Sequence, residues 1–233
     1  MPQPVITALV PMRHHSQRVP GKNYRPLAGR PLYQHIIQSL LDCPEIARVV
    51  VDTDSPEVLD GLRQHFPQVH TLDRPEHLRA DDIPMNEILL YDTAQFPSDL
   101  YLQTHSTNPL LRSATISRAV QALLARYPAY DSLFGVTRLQ TRLWDALARP
   151  VNHNPAILLQ TQDLPPIYEE NSCVYIFSRA TLEARRNRLG ERPLMFEIPR
   201  GEAWDIDEEL DFLGADLLLR HRMGNPLPAS PKK

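Results

Sequence analysis

The chain has 233 residues, with 25 Lys and Arg against 28 Asp and Glu, 42% hydrophobic residues and 23% charged residues. This balance is typical of a globular protein and excludes a disordered chain, a collagen-like repeat and a strongly basic nucleic-acid-binding protein. Because no apolar run approaches the roughly 18 residues of a membrane span and no cleavable leader is recognisable, we expect a cytoplasmic protein that binds neither membranes nor nucleic acids.

The first half of the sequence alternates predicted strands with predicted helices. Residues 5–10 form an apolar, largely β-branched run between two prolines, which predicts a central strand buried on both faces. Further strands are predicted at 47–51, 69–72, 99–103 and 133–137, and helices at 31–41, 55–66, 84–94 and 113–127. This alternation favours an α/β fold with a Rossmann-like, mostly parallel sheet and helices on both faces.

The pattern changes after Thr137. Residues 138–170 hold scattered prolines and no sustained hydrophobic period, so they predict an excursion from the sheet. Strands at 174–177 and 194–198 and helices at 180–188 and 207–219 then return to it. We therefore predict three parts: a core formed by 1–137 and 201–223, an excursion over 138–200 that returns to the core, and a flexible tail over 224–233.

The loop after the first strand concentrates positive charge. Arg13, Arg18 and Lys22 lie close together in the sequence, with Ser16 and Asn23 as neutral hydrogen-bonding partners. Guanidinium and ammonium groups neutralise phosphate oxygens, and ligands of open parallel sheets bind beyond the carboxyl ends of the strands. The loop therefore predicts a polyphosphate site, although it matches neither the P-loop nor the GxGxxG pattern. A solvated basic loop is the alternative.

Two further polar segments are candidate site elements. Asp205 and Asp207 are two residues apart on an extended segment and would point the same way, as in a Mg²⁺ site shared with phosphates. The alternative is that acids near a helix start simply complement its dipole. The stretch from Gln103 to Arg112 is a polar exit from a strand, which favours substrate binding and loop capping equally.

Six segments of the chain carry a family resemblance. They are Pro11 to Asn23, which resembles P-A-R-x-x-S-K-R-x-P-G-K-N, residues 52–55, 74–78, 102–112 and 162–166 with Asn171, and Ile206-Asp207. In this order they resemble motifs of the acylneuraminate (CMP-sialic acid) cytidylyltransferase family, which is related to the CMP-Kdo synthetases.

The resemblance implies a GT-A-like nucleotidyltransferase fold with a small dimerisation arm and a homodimer in polysaccharide biosynthesis. It implies a Mg²⁺-dependent reaction in which CMP passes from CTP to a sugar acid, of nonulosonic or 3-deoxy-ulosonic type, and pyrophosphate leaves. The implied nucleotide-binding residues are Arg13, Ser16, Arg18, Lys22, Asn23, Arg74 and Gln103. The implied acceptor-binding residues are Gln103, Gln162 and Asn171. The implied metal ligands are Asp205 and Asp207, and the implied catalytic residues are Arg13, Lys22 and Asp207.

Three positions depart from the family pattern. Gln17 replaces a lysine, while Thr161 and Glu169 replace arginines that the resemblance places opposite the carboxylate of the sugar acid. We therefore expect an acceptor other than sialic acid: a different sugar acid, or a less acidic sugar. Two other functions stay open at this point, a nucleotide-sugar glycosyltransferase and a non-catalytic regulatory protein that binds a nucleotide.

Overall fold

The computed structural model describes residues 4–224. In chain order the strands and helices are β1 (Ile6–Leu9), β2 (Pro26–Leu27), β3 (Arg30–Pro31), α1 (Leu32–Leu41), β4 (Arg48–Thr53), α2 (Pro56–His65), β5 (His70–Asp73), α3 (Met85–Gln95), β6 (Leu100–Gln103), α4 (Ser113–Leu124), β7 (Ser132–Leu139), β8 (Ile167–Phe177), α5 (Arg179–Arg185), β9 (Pro193–Glu197) and α6 (Glu209–Arg222). Short 3₁₀ turns lie at Glu76–Leu78 and Thr161–Asp163.

Seven strands form one sheet in the order β5-β4-β1-β6-β8-β7-β9. All of these strands run parallel except β8, which is antiparallel to both β6 and β7. A strand packed on both faces needs apolar residues along its whole length, and all four residues of β1 are buried. The predicted α/β fold with a mostly parallel sheet is confirmed.

Alternate residues of the strands face two separate hydrophobic clusters. Ile6 and Ala8 pack in a cluster that includes residues of α1, α2 and α4, whereas Leu9 packs with residues of α3 and α5. Successive side chains of a strand point to opposite faces of a sheet, so helices cover both faces, as predicted. Within the described part of the chain, no helix is both long enough and apolar enough to span a bilayer.

Helix α2 begins where the sequence predicts. Ser55 is its N-cap, and the Ser55 hydroxyl accepts a hydrogen bond from the backbone N–H of Val58. Pro56 occupies the first turn, where its missing N–H is not needed. This cap ends β4 sharply and leaves the carboxyl end of that strand beside β1.

Helix α6 begins later than predicted. Its first residue is Glu209 instead of Asp207, because Glu208 and Asp211 form a reciprocal capping box. The Asp211 carboxylate accepts the backbone N–H groups of Asp207 and Glu208. Asp207 therefore stays outside the helix.

Two β elements were not predicted from the sequence. One is the short β2–β3 hairpin. The other is the outer half of β8, where residues 167–170 pair with residues 136–139 of β7. These outer residues of β8 are largely exposed, so they lack the alternating apolar pattern that identifies a strand. The predicted domain boundaries stay a prediction, and of the predicted tail, 224–233, all but Gly224 lies outside the described residues.

Candidate functional site

A cleft of about 530 Å³ opens at the carboxyl end of the parallel strands. Its walls come from the loop after β1, from the segment that leads into α3, from the exit of β6 and from the segment before α6. Open α/β sheets bind their ligands at this edge. Eight of the residues that the sequence singles out line the cleft; they are Arg13, Ser16, Arg18, Lys22, Asn23, Arg74, Asp205 and Asp207.

Asn23 fixes the shape of the loop after β1. Its side chain is buried and donates a hydrogen bond to the carbonyl of Arg13, at 2.7 Å. It also accepts one from the Ser106 hydroxyl at 2.7 Å. Gly21 has a φ of +65°, and a Cβ there would lie 2.7 Å from the Tyr24 hydroxyl, so a larger residue would displace the loop. The cationic loop is therefore rigidly joined to the exit of β6.

Lys22 connects the cationic loop to the aspartate pair. Its Nζ donates to the carbonyl of Ile206 at 2.7 Å, between Asp205 and Asp207 in the sequence. Burial lowers the pKa of Lys22, and the two carboxylates oppose that shift. The loop and the aspartates, 184 residues apart in sequence at this contact, thus meet in one place.

Asp205 and Asp207 differ in their surroundings. Burial raises the pKa of Asp205, and its Oδ1 atom is buried without a hydrogen-bond partner among the described residues. Asp207 is about half exposed, and its carboxylate accepts a hydrogen bond from Arg18. An orphaned carboxylate oxygen beside a second carboxylate is a donor set that suits Mg²⁺.

The two carboxylates would hold a metal only with help from a ligand. Among residues 4–224, no group of three or more His, Cys, Asp or Glu side chains is arranged to bind a metal ion. Mg²⁺ is commonly bound by one or two carboxylates plus phosphate oxygens and water. The aspartate pair therefore fits a magnesium ion that is shared with a bound polyphosphate.

Asp81 contacts two residues of the cationic loop. Its carboxylate accepts hydrogen bonds from Arg13 and, at 2.6 Å, from the Gln17 amide. The side chains of Arg13 and Asp81 are 43% and 60% exposed, and exposed ion pairs contribute only about 0 to 1 kcal/mol. A phosphate can therefore displace Asp81 from Arg13 at little cost.

Arg74 reaches the cleft from a fully buried position. Its Nε donates to the Asp52 carboxylate at 2.6 Å, and both side chains are about 1% exposed. Asp92 of α3 is buried close to Asp52. One oxygen of each carboxyl group, Asp92 Oδ1 and Asp52 Oδ2, is buried without another hydrogen-bond partner among the described residues. Burial and the neighbouring Asp52 charge raise the pKa of Asp92 to about 10, so we infer that Asp92 keeps its proton at neutral pH and can donate it in a hydrogen bond to Asp52. The carboxyl pair shares one proton and fixes the guanidinium.

The three residues predicted to contact the acceptor do not line this cleft. Gln103 is fully buried at the end of β6, where its amide contacts His105 and Arg188. Asn171 hydrogen-bonds to Thr137 on the neighbouring strand. Gln162 is exposed, and its side chain donates to Gln160. The structure thus brings the metal candidates and all nucleotide candidates except Gln103 together in the cleft, but not the acceptor candidates. The predicted roles of all of them stay predictions.

Sequence reasoning missed Asp81, Asp92 and Arg188. The signal for Asp92 was available, since it follows the apolar run from Ile88 to Tyr91 and falls on the buried face of α3. Asp81 stands in an irregular loop, and Arg188 is one of several arginines after α5. No local pattern marks either residue, because their partners are distant in the sequence.

Known proteins related to this chain include several cytidylyltransferases. Residues 7–211 match a family model described as Cytidylyltransferase. The chain is 27% identical over 214 residues to N-acylneuraminate cytidylyltransferase A of Danio rerio, which covers 89% of this chain and 49% of that protein. It is 30% identical over 231 residues to CMP-N,N'-diacetyllegionaminic acid synthase of Legionella pneumophila, a match that covers 92% of this chain and 96% of that protein. The chain spans about half the length of the N-acylneuraminate cytidylyltransferases that it matches.

Solved structures agree on the fold. A CMP:2-keto-3-deoxy-manno-octonic acid synthetase complexed with CTP superposes with a TM-score of 0.70 at 16% identity, covering 94% of this chain and 99% of that one. A 4-diphosphocytidyl-2C-methyl-D-erythritol synthase from Anaerococcus prevotii gives a TM-score of 0.65 at 13% identity, with 93% and 96% coverage. At these identities the likeness is evidence for the fold alone.

Proposed function

Because the chain belongs to the cytidylyltransferase family, we propose that it transfers the cytidylyl group of CTP to a sugar acid and releases pyrophosphate. One observation supports this most directly: the cationic loop after β1 meets the Asp205–Asp207 segment in a single cleft, through the contact of Lys22 with Ile206. Nucleotidyl transfer depends mainly on positioning and on neutralising phosphate charge, and this cleft offers both.

The nucleotide is assigned to the wall formed by the loop after β1. Arg13 and Lys22 would hold the triphosphate, with Arg18 and Ser16 beside them. Asn23 keeps the loop in the shape that presents these groups. Arg74 faces the same cleft and is assigned to the region of the base. A rigid, charged wall of this kind stabilises negative charge without reorganising during the reaction.

Asp205 and Asp207 are the residues that would hold Mg²⁺. When bound there, the ion would neutralise phosphate charge and lower the pKa of the attacking sugar hydroxyl. Lys22, beside the same carboxylates, would position the phosphates relative to them. The protein supplies no nucleophile in this scheme. The acceptor hydroxyl loses its proton to water, its oxygen attacks the α-phosphorus, and the bond between the α-phosphate and the pyrophosphate leaving group breaks.

The relatives suggest the class of acceptor. The names of those reported above contain an acylneuraminate and a diacetyllegionaminic acid, which are sugar acids. Gln162 and Asn171 remain proposed acceptor contacts, whereas Gln103, which is fully buried, would act on the acceptor only through its contacts with His105 and Arg188. Thr161 and Glu169 are both exposed and bring no positive charge to a carboxylate, so we assign an acceptor other than sialic acid itself.

We also propose that the active form is a cytoplasmic homodimer that serves polysaccharide biosynthesis. Residues 140–166, which we call the arm, join β7 to β8 and expose several large apolar side chains, among them Trp144, Leu147 and Leu158, which is 90% exposed. Apolar groups concentrated on a projecting segment are typical of an interaction site. Light scattering should give twice the chain mass of 26.7 kDa, and Leu158→Glu should reduce it to one chain. A monomeric wild-type protein at micromolar concentration would contradict the dimer.

Pyrophosphate release tests the reaction. The protein is incubated with Mg²⁺, each nucleoside triphosphate in turn, and a panel of sugar acids and neutral sugars. We expect release with CTP and a sugar acid, and a larger rise of melting temperature with CTP than with ATP or UTP. Equal responses to all nucleotides would contradict the cytidylyl assignment. Tight CTP binding without pyrophosphate release from any sugar would instead indicate a non-catalytic nucleotide-binding protein.

A further inference from the structure

Arg188, in the loop after α5, is held in a fixed position beside the cleft. Its Nη1 donates to the side-chain Oε1 of Gln103 at 2.6 Å. Its guanidinium carbon lies 3.5 Å from the centroid of the Tyr175 ring. Gln103 and Tyr175 are both fully buried in the sheet, and a cation over an aromatic face is attracted to it. The guanidinium is therefore preorganised by the core of the protein.

The loop that carries Arg188 is also anchored to α3. The backbone N–H of Arg188 donates to the Asn86 side chain at 3.4 Å, and Arg186 forms an ion pair with Glu87. Met85 and Ile88, in the same part of α3, line the cleft. Arg188 is not itself among the residues that line the cleft, but its loop packs on the part of α3 that does.

The positive charge of Arg188 lacks a close carboxylate. Among residues 4–224, no carboxylate oxygen lies within 4.0 Å of a guanidinium nitrogen of Arg188, the distance that defines an ion pair. The charge of Glu170 raises the pKa of Arg188, but the Glu170 carboxylate accepts a hydrogen bond from the hydroxyl of Tyr175. Arg188 is partly buried, and this burial lowers its pKa. Withdrawing a charge from water is costly unless a counter-charge is supplied, so this position favours an anionic ligand.

His105 links Arg188 to the cleft. His105 lines the cleft, and its Nε2 is hydrogen-bonded to the side-chain Nε2 of Gln103 at 3.0 Å. Burial, together with the charges of Arg188 and Lys22, lowers the pKa of His105 to about 3. His105 is therefore neutral, and the positive charge on this wall belongs to Arg188 and Lys22. Ser172, which also lines the cleft, contacts the Tyr175 hydroxyl at 3.3 Å.

We propose that Arg188 binds the carboxylate of the sugar-acid acceptor and is a determinant of acceptor specificity. This inference rests on the proposed cytidylyl transfer. A guanidinium offers five N–H donors, of which Gln103 takes one, and it can hold a carboxylate through two parallel hydrogen bonds. It brings to this wall the positive charge that Thr161 and Glu169 do not. Gln103 then acts as a positioning residue for Arg188.

Steady-state kinetics of Arg188→Gln and Arg188→Lys test this assignment. Pyrophosphate release is measured against the concentration of the best sugar acid at saturating CTP, and then against CTP at saturating sugar acid. Arg188→Gln should raise KM for the sugar acid by about tenfold or more, the effect of losing a charged hydrogen bond. KM for CTP should stay within about twofold. Arg188→Lys should recover part of the loss. Arg185→Gln is the matched control, since Arg185 is an exposed neighbour paired with Glu191, and its kinetics should equal those of the wild type.

A second substrate separates binding from structure. With the acceptor whose carboxylate is reduced to a primary alcohol, wild type and Arg188→Gln should perform alike. An unchanged sugar-acid KM in both variants would overturn the Arg188 assignment while leaving the transferase intact. An equal loss toward the acid and the alcohol would assign Arg188 a purely structural role and would also overturn it. Absence of pyrophosphate release by the wild type would overturn the proposed function and this inference with it.

Discussion

The stability of the Asp92→Asn variant relative to the wild type should increase as the pH rises. In the folded protein the Asp92 carboxyl is buried against Asp52, which raises its pKa to about 10. In the unfolded chain its pKa returns to about 3.9. Between these values the folded state binds one proton more than the unfolded state, so this group makes the wild type less stable as pH increases. An asparagine amide keeps an N–H donor toward Asp52 and binds no proton.

The size of the effect follows from proton linkage. One extra proton in the folded state lowers the free energy of unfolding by about 1.4 kcal/mol per pH unit. The difference in stability between Asp92→Asn and the wild type should therefore grow by roughly 3 kcal/mol between pH 6 and pH 8. For a protein of this size that corresponds to about 6 to 12 °C in melting temperature.

Urea denaturation at pH 6, 7 and 8 measures this difference directly. Using the difference between two proteins cancels the titration of all other groups, histidines included. Asp60→Asn is the matched control, since the Asp60 side chain is 75% exposed and pairs only at the surface with Arg63. Its effect should be the same at each pH. A pH-independent effect of Asp92→Asn would show that Asp92 is ionised in the folded protein and would refute the shared proton.

Three other substitutions address the cleft and the fold. Lys22→Ala should weaken CTP binding, measured by calorimetry, by about 1.5 to 3 kcal/mol, because it removes a charged hydrogen-bond donor. Asp207→Ala should abolish pyrophosphate release while the melting temperature changes little, because Asp207 is half exposed and its pair with Arg18 is a surface pair. Ser55→Ala should lower the free energy of unfolding in urea by about 1 kcal/mol through loss of the α2 cap, without changing CTP affinity.

Each of these has its own control and its own contrary result. Arg63→Ala removes an exposed cation that does not line the cleft; if it weakens CTP binding as much as Lys22→Ala, the Lys22 effect is one of net charge. Undiminished turnover of Asp207→Ala would exclude that carboxylate from the reaction. Ser55→Asp retains a capping acceptor, so equal instability of the alanine and aspartate variants would argue against the cap.

The sequence predicted the sheet well because its strands and helices have strong local patterns. The apolar run of β1 and the Ser55-Pro56 start of α2 are examples in which local preference and tertiary environment agree. The outer half of β8 was missed because its side chains are largely exposed and have no apolar period. The start of α6 was misplaced by two residues because the capping box at Glu208 and Asp211 competes with the acidic run before it.

The candidate site was predictable only in part. The loop after β1 and the two aspartates carry dense local signals, and the predicted family resemblance is confirmed by the family match. Asp81 and Arg188 could not be predicted, because each acts through a contact with a distant residue: Asp81 with Arg13, and Arg188 with Gln103. Such pairings depend on loop geometry, which a single sequence does not determine.

The ion pair between Arg18 and Asp207 would couple the binding of the nucleotide to the binding of magnesium. A carboxylate that is partnered by a guanidinium is a poorer ligand for a divalent cation, and a guanidinium so engaged is less free for phosphate. On the proposed assignment, a nucleotide that attracts Arg18 would free Asp207 for magnesium, and magnesium at Asp207 would free Arg18 for the nucleotide. The two ligands would then bind with positive cooperativity, each increasing the affinity of the other by the same factor.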